Sequence, residues 1–193
     1  MAKRVFFSFD YKDVETFRAN VVRNHDFTKE NGQEAGYIDA SIWEEAKKHQ
    51  ENSVERMINS SLEGTSVTCV LIGTGTWSRP WVRYEILKSF DRDNLLIGVH
   101  INSVSDKNSQ TFSQGNNPFY YLGFWVSEDG KKQTYSEHDG TNWIVYQDLP
   151  AKAVNYAQQH RGKWFRLADW VPCYDWTSGD GFNNFSTWVG NAK

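Results

Sequence analysis

Apolar positions along the first hundred residues follow two different periods. From Lys3 to Phe9, Val5, Phe7 and Phe9 recur at every second position, the spacing of a half-buried strand. Asp10 and Asp13 then open a helical stretch to about Arg23, with Val14, Phe17, Val21 and Val22 near helical spacing. Asn24 to Gly36 is polar, contains Asn31-Gly32, and reads as a loop. Ser41-Ile42-Trp43-Glu44 fits a capping box, with Ser at the N-cap and Glu three residues on. Asn52-Ser53-Val54-Glu55 begins another helical piece whose face is Val54, Met57, Ile58 and Ser61, and Gly64 ends it. Thr65–Ile72 and Asn94–Ile101 are continuously apolar, as strands covered on both faces of a parallel sheet are. Between them Ser78 is a natural N-cap and Pro80 suits a first turn. The helix they predict runs from Arg79 to about Asp91, with Val82, Ile86 and Phe90 on its buried stripe. Strands separated by helices predict a three-layer α/β fold, flavodoxin-like, around a central parallel sheet.

The pattern changes after Asn102. Ser103 to Asn117 is a polar loop, and residues 119–193 hold more than half of the aromatic rings. Glu128-Asp129-Gly130-Lys131 and His138-Asp139-Gly140-Thr141 are turn signals flanked by Phe124-Trp125-Val126 and Trp143-Ile144-Val145-Tyr146, the mark of hairpins. Ala151 to His160 reads as a short helix. With no internal repeat and no low-complexity linker, residues 1–193 read as a single domain. Its core covers about 1–118 and an aromatic-rich C-terminal elaboration about 119–193.

Composition narrows the function. Lys and Arg number 21 against 24 Asp and Glu, a net charge of −3, so the basic field of a general nucleic-acid binder is missing. The aromatic fraction of 16% exceeds what a core needs and leaves rings for stacking on a ligand or partner. Cys69 and Cys173 make no disulfide framework and have no metal-ligand spacing, so no metal is expected and both thiols are expected to be reduced. The apolar run Val5 to Phe9 is too short for a signal peptide or a membrane span. A cytoplasmic location, away from membranes, is the expectation.

In an open parallel sheet, ligands bind beyond the carboxyl ends of the strands. That rule selects Phe9-Asp10-Tyr11, Gly73 to Ser78, and His100-Ile101-Asn102. In the second group Gly73, Thr74 and Gly75 let a ligand approach the backbone and Trp77 offers a stacking face. The same Gly-x-Gly also serves as an ordinary tight turn, and it lacks both the P-loop Lys and the third Gly of a dinucleotide fingerprint. Glu85 lies beside the Val82–Ile86 stripe, one turn from Trp81. There it reads either as a carboxylate facing a pocket or as a solvated helix residue paired with Arg79 or Lys88. Asp10 reads as a helix N-cap. A phosphoacceptor receiver domain is excluded, because the later strands end in Gly73 and in His100-Ile101-Asn102 rather than in Asp and Lys.

Taken together these segments resemble a known family. Val5-Phe6-Phe7-Ser8-Phe9 is similar to the first-strand box of TIR domains. Trp77-Ser78-Arg79-Pro80-Trp81-Val82-Arg83-Tyr84-Glu85 is similar to their later Trp-x-x-x-Glu box. Ser41 to Lys48, Thr65 to Gly73, Trp81 to Ile86, Gly98 to Asn102 and Asn117-Pro118-Phe119, in that order, resemble the ThsB family of TIR-like proteins from bacterial Thoeris anti-phage systems. The resemblance implies an enzyme that cleaves the nicotinamide–ribose bond of NAD by means of Glu85. It implies a cyclic ADP-ribose isomer as product, a diffusible signal that activates a separate NAD-depleting effector. NAD is then substrate, with no cofactor. Substrate would contact Phe9, Asp10, Gly73, Thr74, Trp77, Ser78 and Trp81, and the trigger would be a phage protein. A TIR-like interaction module that senses a phage component without turnover is the other reading.

Overall fold

The computed structural model describes residues 3–24 and 51–193; the predicted loop from Asn24 onward and the Ser41 capping box lie outside them, apart from Asn24 itself. Two sheets organise the described chain. Strands β1 (Val5–Phe9), β2 (Val67–Ile72), β3 (Leu95–His100) and β9 (Cys173–Asp175) form a parallel sheet in the order β1-β2-β3-β9. Strands β4 (Leu122–Val126), β5 (Lys132–His138), β6 (Trp143–Val145), β7 (Lys152–Ala153) and β8 (Trp164–Arg166) form an antiparallel sheet. The α/β fold with a central parallel sheet is thus the one the apolar runs predict.

The parallel sheet divides the core in two. Every residue of β2 is fully buried, as its continuous apolar run requires. Val67, Cys69 and Leu71 join Val5, Phe7, Ile97 and Val99 on one face, with Ala19 and Val22 of helix α2 (Arg18–Arg23) and Phe185 of helix α5 (Gly181–Gly190). Val70 and Ile72 join Phe6 and Leu96 on the other. That second face carries Val54 and Ile58 of α3 (Glu51–Ser61) and Val82, Ile86 and Leu87 of α4 (Pro80–Asp91). The antiparallel sheet then covers α4 from outside. Phe90 packs on Phe124, ring centroids 5.0 Å apart, and the Tyr135 hydroxyl donates to Asp91 at 2.7 Å. Thus α4 is held between two sheets.

Several local expectations are corrected. The first helical stretch is two helices, α1 (Tyr11–Glu15) and α2, separated by Phe17 in the left-handed region (φ 65°). The break rotates the helical face, so Phe17 and Val21 are exposed while Arg18, Ala19 and Val22 turn inward. Residues 151–160 contain β7 and a 3-10 turn rather than a helix, because Lys152 and Ala153 pair with β5. Residues 119–193 divide between the sheets: β4–β8 build the second, while β9 and α5 complete the first. The turns at Gly130 and Gly140 join β4 to β5 and β5 to β6 as predicted, each glycine with positive φ.

Gly98 is where β9 docks. A methyl group there would lie 2.6 Å from Cys173 Sγ, 2.9 Å from Ile72 Cδ1 and 3.0 Å from Phe119 Cε2. Gly98→Ala is expected to destabilise the fold by about 1–3 kcal/mol, the usual cost of overpacking. The midpoint of urea unfolding reads this; an unchanged midpoint would mean β9 can move away from β3 freely.

Candidate active site

The alternation along β1 places Ser8 on the same side as Phe6, facing α4. Glu85, on the second turn of α4, meets it there. Ser8 Oγ donates to Glu85 Oε2 at 2.5 Å, and both residues are buried, Glu85 to 4% exposure. Among the described residues Glu85 makes no ion pair: Arg79 pairs with Asp10 and Lys88 with Asp91. The reading of Glu85 as a solvated helix residue therefore fails. Burial raises its carboxyl from the usual 4.5 to about 8, and the Ser8 hydrogen bond only partly opposes this. At neutral pH most of the population carries the proton.

One turn back along α4, Trp81 and Val82 reach a groove of about 310 Å3 beyond the carboxyl end of β1. Phe9, Asp10, Tyr11, Lys12, Arg79 and Pro80 complete its lining. Ser8 precedes Phe9 in β1 and Glu85 follows Trp81 by one turn of α4, so each member of the pair neighbours a lining residue along the chain, while the lining itself contains neither. Asp10 caps α1 by accepting from Lys12 N, as its position predicted, and also pairs with Arg79 Nε at 2.7 Å. Beyond that ion pair lies a second cavity of about 370 Å3, whose lining again includes Asp10, Lys12 and Arg79, with Asp13, Arg18, Thr74 and Phe112.

The structure thus gathers Phe9, Asp10 and Trp81 at the first groove and Thr74 at the second. It turns three expected residues elsewhere. Gly73 abuts the Asp13 carboxyl, which a methyl group would overlap, so its small size admits Asp13 and not a ligand. Trp77 packs against Tyr121, centroids 4.8 Å apart and planes tilted by 30°, so the protein itself supplies a ring for it. Ser78 Oγ donates to Gly75 O; the N-cap of α4 is Arg79, without a side-chain cap bond. Gly73 N instead donates to Thr76 Oγ1 at 2.9 Å.

Sequence reasoning passed over Ser8 as a site residue. The available signal was a hydroxyl on the α4-facing side of a strand whose other positions there are apolar. Arg18 was also missed, because the unbroken helix placed Phe17 rather than Arg18 toward the core. His100, at the end of β3, lines a separate cavity of about 620 Å3 with Gln114, Asn116 and Tyr121; burial lowers its pKa. Among the described residues no cluster of His, Cys, Asp and Glu could hold a metal, and no helix is long and apolar enough to cross a membrane.

A family model described as "Thoeris protein ThsB, TIR-like domain" matches residues 6–106. A curated relative from Bacillus cereus (strain MSX-D12), named "Putative cyclic ADP-D-ribose synthase ThsB1", is 51% identical over 191 residues. The alignment covers 98% of this chain and 100% of the relative.

Proposed function

The chain belongs to the Thoeris ThsB family of TIR-like proteins, and from that premise we propose that it cleaves NAD at the nicotinamide–ribose bond and closes the remainder into a cyclic ADP-ribose isomer. The observation that carries the reading is the Glu85–Ser8 pair, a buried carboxyl that makes no ion pair among the described residues, one helical turn from Trp81 of an aromatic-lined groove. The name of the Bacillus cereus relative, "Putative cyclic ADP-D-ribose synthase ThsB1", supports the same chemistry. The product is a diffusible signal for a separate Thoeris effector, made when infection triggers the enzyme.

The chemistry needs little acid–base work. Nicotinamide is cationic within NAD and leaves neutral, taking the bonding electrons of the C1′–N bond. No general acid is needed, unlike ordinary glycoside hydrolysis with its two carboxyls. The demand is for negative charge beside the oxocarbenium-like ribose. Ionised Glu85 supplies it from a desolvated position, where a charge acts more strongly than in water. Substrate itself favours that form, since a bound cation lowers the pKa of a neighbouring carboxyl. Ser8 donates to the carboxylate and fixes its orientation. Phe9 and Trp81 wall the groove and exclude water, so a hydroxyl of the same ADP-ribose attacks C1′ and loses its proton. The balance is NAD to nicotinamide, cyclic product and one proton.

Ser8→Ala should leave the fold intact and move Glu85 ionisation to higher pH, since the lost bond had favoured the anion. A shift of about 1 unit is expected in the pH dependence of NAD cleavage, the equivalent of a 1.4 kcal/mol hydrogen bond. An unshifted profile would separate Ser8 from the active carboxyl. The reading as a whole is tested with purified protein and NAD. Nicotinamide should appear together with a species of the mass of ADP-ribose less one water. NAD left intact, in the presence of phage lysate as trigger, would leave the interaction-module reading in its place.

A further inference from the structure

The second cavity holds a charge that the chemistry above does not use. Arg18 opens α2 directly after the left-handed Phe17, and that turn drives its side chain inward to 4% exposure. Nη2 donates to Asp13 Oδ1 at 2.6 Å. The other two guanidinium nitrogens, Nε and Nη1, are buried and have no hydrogen-bond partner among the described residues. Buried donors on a charged group are rarely left unmade, because each forfeits its hydration.

The ring of Phe112 lies over this guanidinium, its centroid 3.8 Å from the guanidinium carbon. The ring belongs to the polar 103–117 segment and is itself 42% exposed. Its backbone is fixed, Phe112 N donating to Asn102 O at 2.9 Å and Thr74 Oγ1 to Ser113 O at 2.7 Å. With the backbone held, rotation of the side chain is the movement that lifts the ring off Arg18. The cation–π contact is a partial substitute for hydrogen bonds, and an oxyanion is a better one.

We propose that Arg18 binds the diphosphate of the dinucleotide substrate, and that the Phe112 ring turns aside to admit it. The proposal rests on the NAD-cleaving reading of the neighbouring groove. Guanidinium is the side chain best suited to phosphate oxygens. The other charges of the lining do not oppose the ligand: Asp13 is engaged by Arg18 and Asp10 by Arg79, while Glu15 and Lys12 are exposed at the rim with opposite signs. The two cavities meet at Asp10, Lys12 and Arg79. One extended ligand can thus place its ribose–nicotinamide end beside Phe9 and Trp81 and its diphosphate at Arg18.

Inorganic pyrophosphate is the probe, its binding followed by calorimetry and by competition with NAD. Phe112→Ala removes the cover and should tighten pyrophosphate binding about threefold to tenfold. Arg18→Met combined with Asp13→Asn, which leaves no lone buried charge, should weaken it at least about tenfold. Should that pair fail to fold, Phe112→Ala alone decides, and unchanged or weaker binding overturns the proposal. NAD cleavage with pyrophosphate binding indifferent to both changes would also overturn it while leaving the NAD reading intact. Pyrophosphate binding that responds as expected in a protein that never cleaves NAD would keep the anion site and sink the NAD reading.

Discussion

Raising the pH from about 5 to about 9 is expected to destabilise the wild-type protein strongly relative to its Glu85→Gln variant. The folded state holds the Glu85 proton up to about pH 8, whereas the unfolded chain releases it near the usual 4.5. Between those values the native state binds more protons than the unfolded state, so unfolding free energy falls as pH rises. The contribution is fully present below 4.5 and is lost by the time pH has passed about 8. At about 1.4 kcal/mol per pH unit the whole span amounts to on the order of 5 kcal/mol. Glutamine has no such titration and keeps a partner for Ser8. All other groups titrate alike in the two proteins and cancel in the difference. For a chain of this size each kcal/mol moves the melting temperature by about 2–4 °C, so the variant should gain on the order of 10 °C over wild type across that range. Parallel melting curves against pH would show instead that the Glu85 carboxyl is solvated in the folded protein.

The same substitution should cut NAD cleavage by about 10²–10³, the usual loss when a preorganised electrostatic group is removed. The wild-type value of kcat/KM should climb with pH and level off near 8, following ionisation of free Glu85. The residual activity of Glu85→Gln should lack that limb. Melting curves of both proteins at the assay pH separate this loss from unfolding, since alkaline conditions are expected to favour the variant's fold relative to wild type. A wild-type profile that is flat from about pH 6 to 9 would assign the chemistry to a different group.

Much of the architecture was legible in the sequence because burial on both faces leaves an unmistakable mark. Residues 67–72 and 95–100 are apolar without alternation and occupy inner strands of the parallel sheet. The α4 stripe was legible for the same reason, and with it the position of Glu85. Its full burial was not. Helical spacing places Glu85 beside the stripe, but the antiparallel sheet packed over α4 comes from residues more than thirty positions away. Phe17 illustrates a second limit. Hydrophobicity put it in the core, yet a single left-handed residue rotated the helix and delivered Arg18 inward. Trp77 shows a third: an aromatic beside a glycine-rich turn suits a ligand or another ring equally, and Tyr121 provides the ring.

The account stands most directly on one comparison, the small molecules in phage-challenged cells that express either wild-type protein or Glu85→Gln, resolved by mass spectrometry. Wild-type cells should accumulate a species with the mass of ADP-ribose less one water, and cells with folded Glu85→Gln protein should contain none above background. The same level of that species in both would contradict the assignment of NAD cleavage to the Glu85 carboxyl.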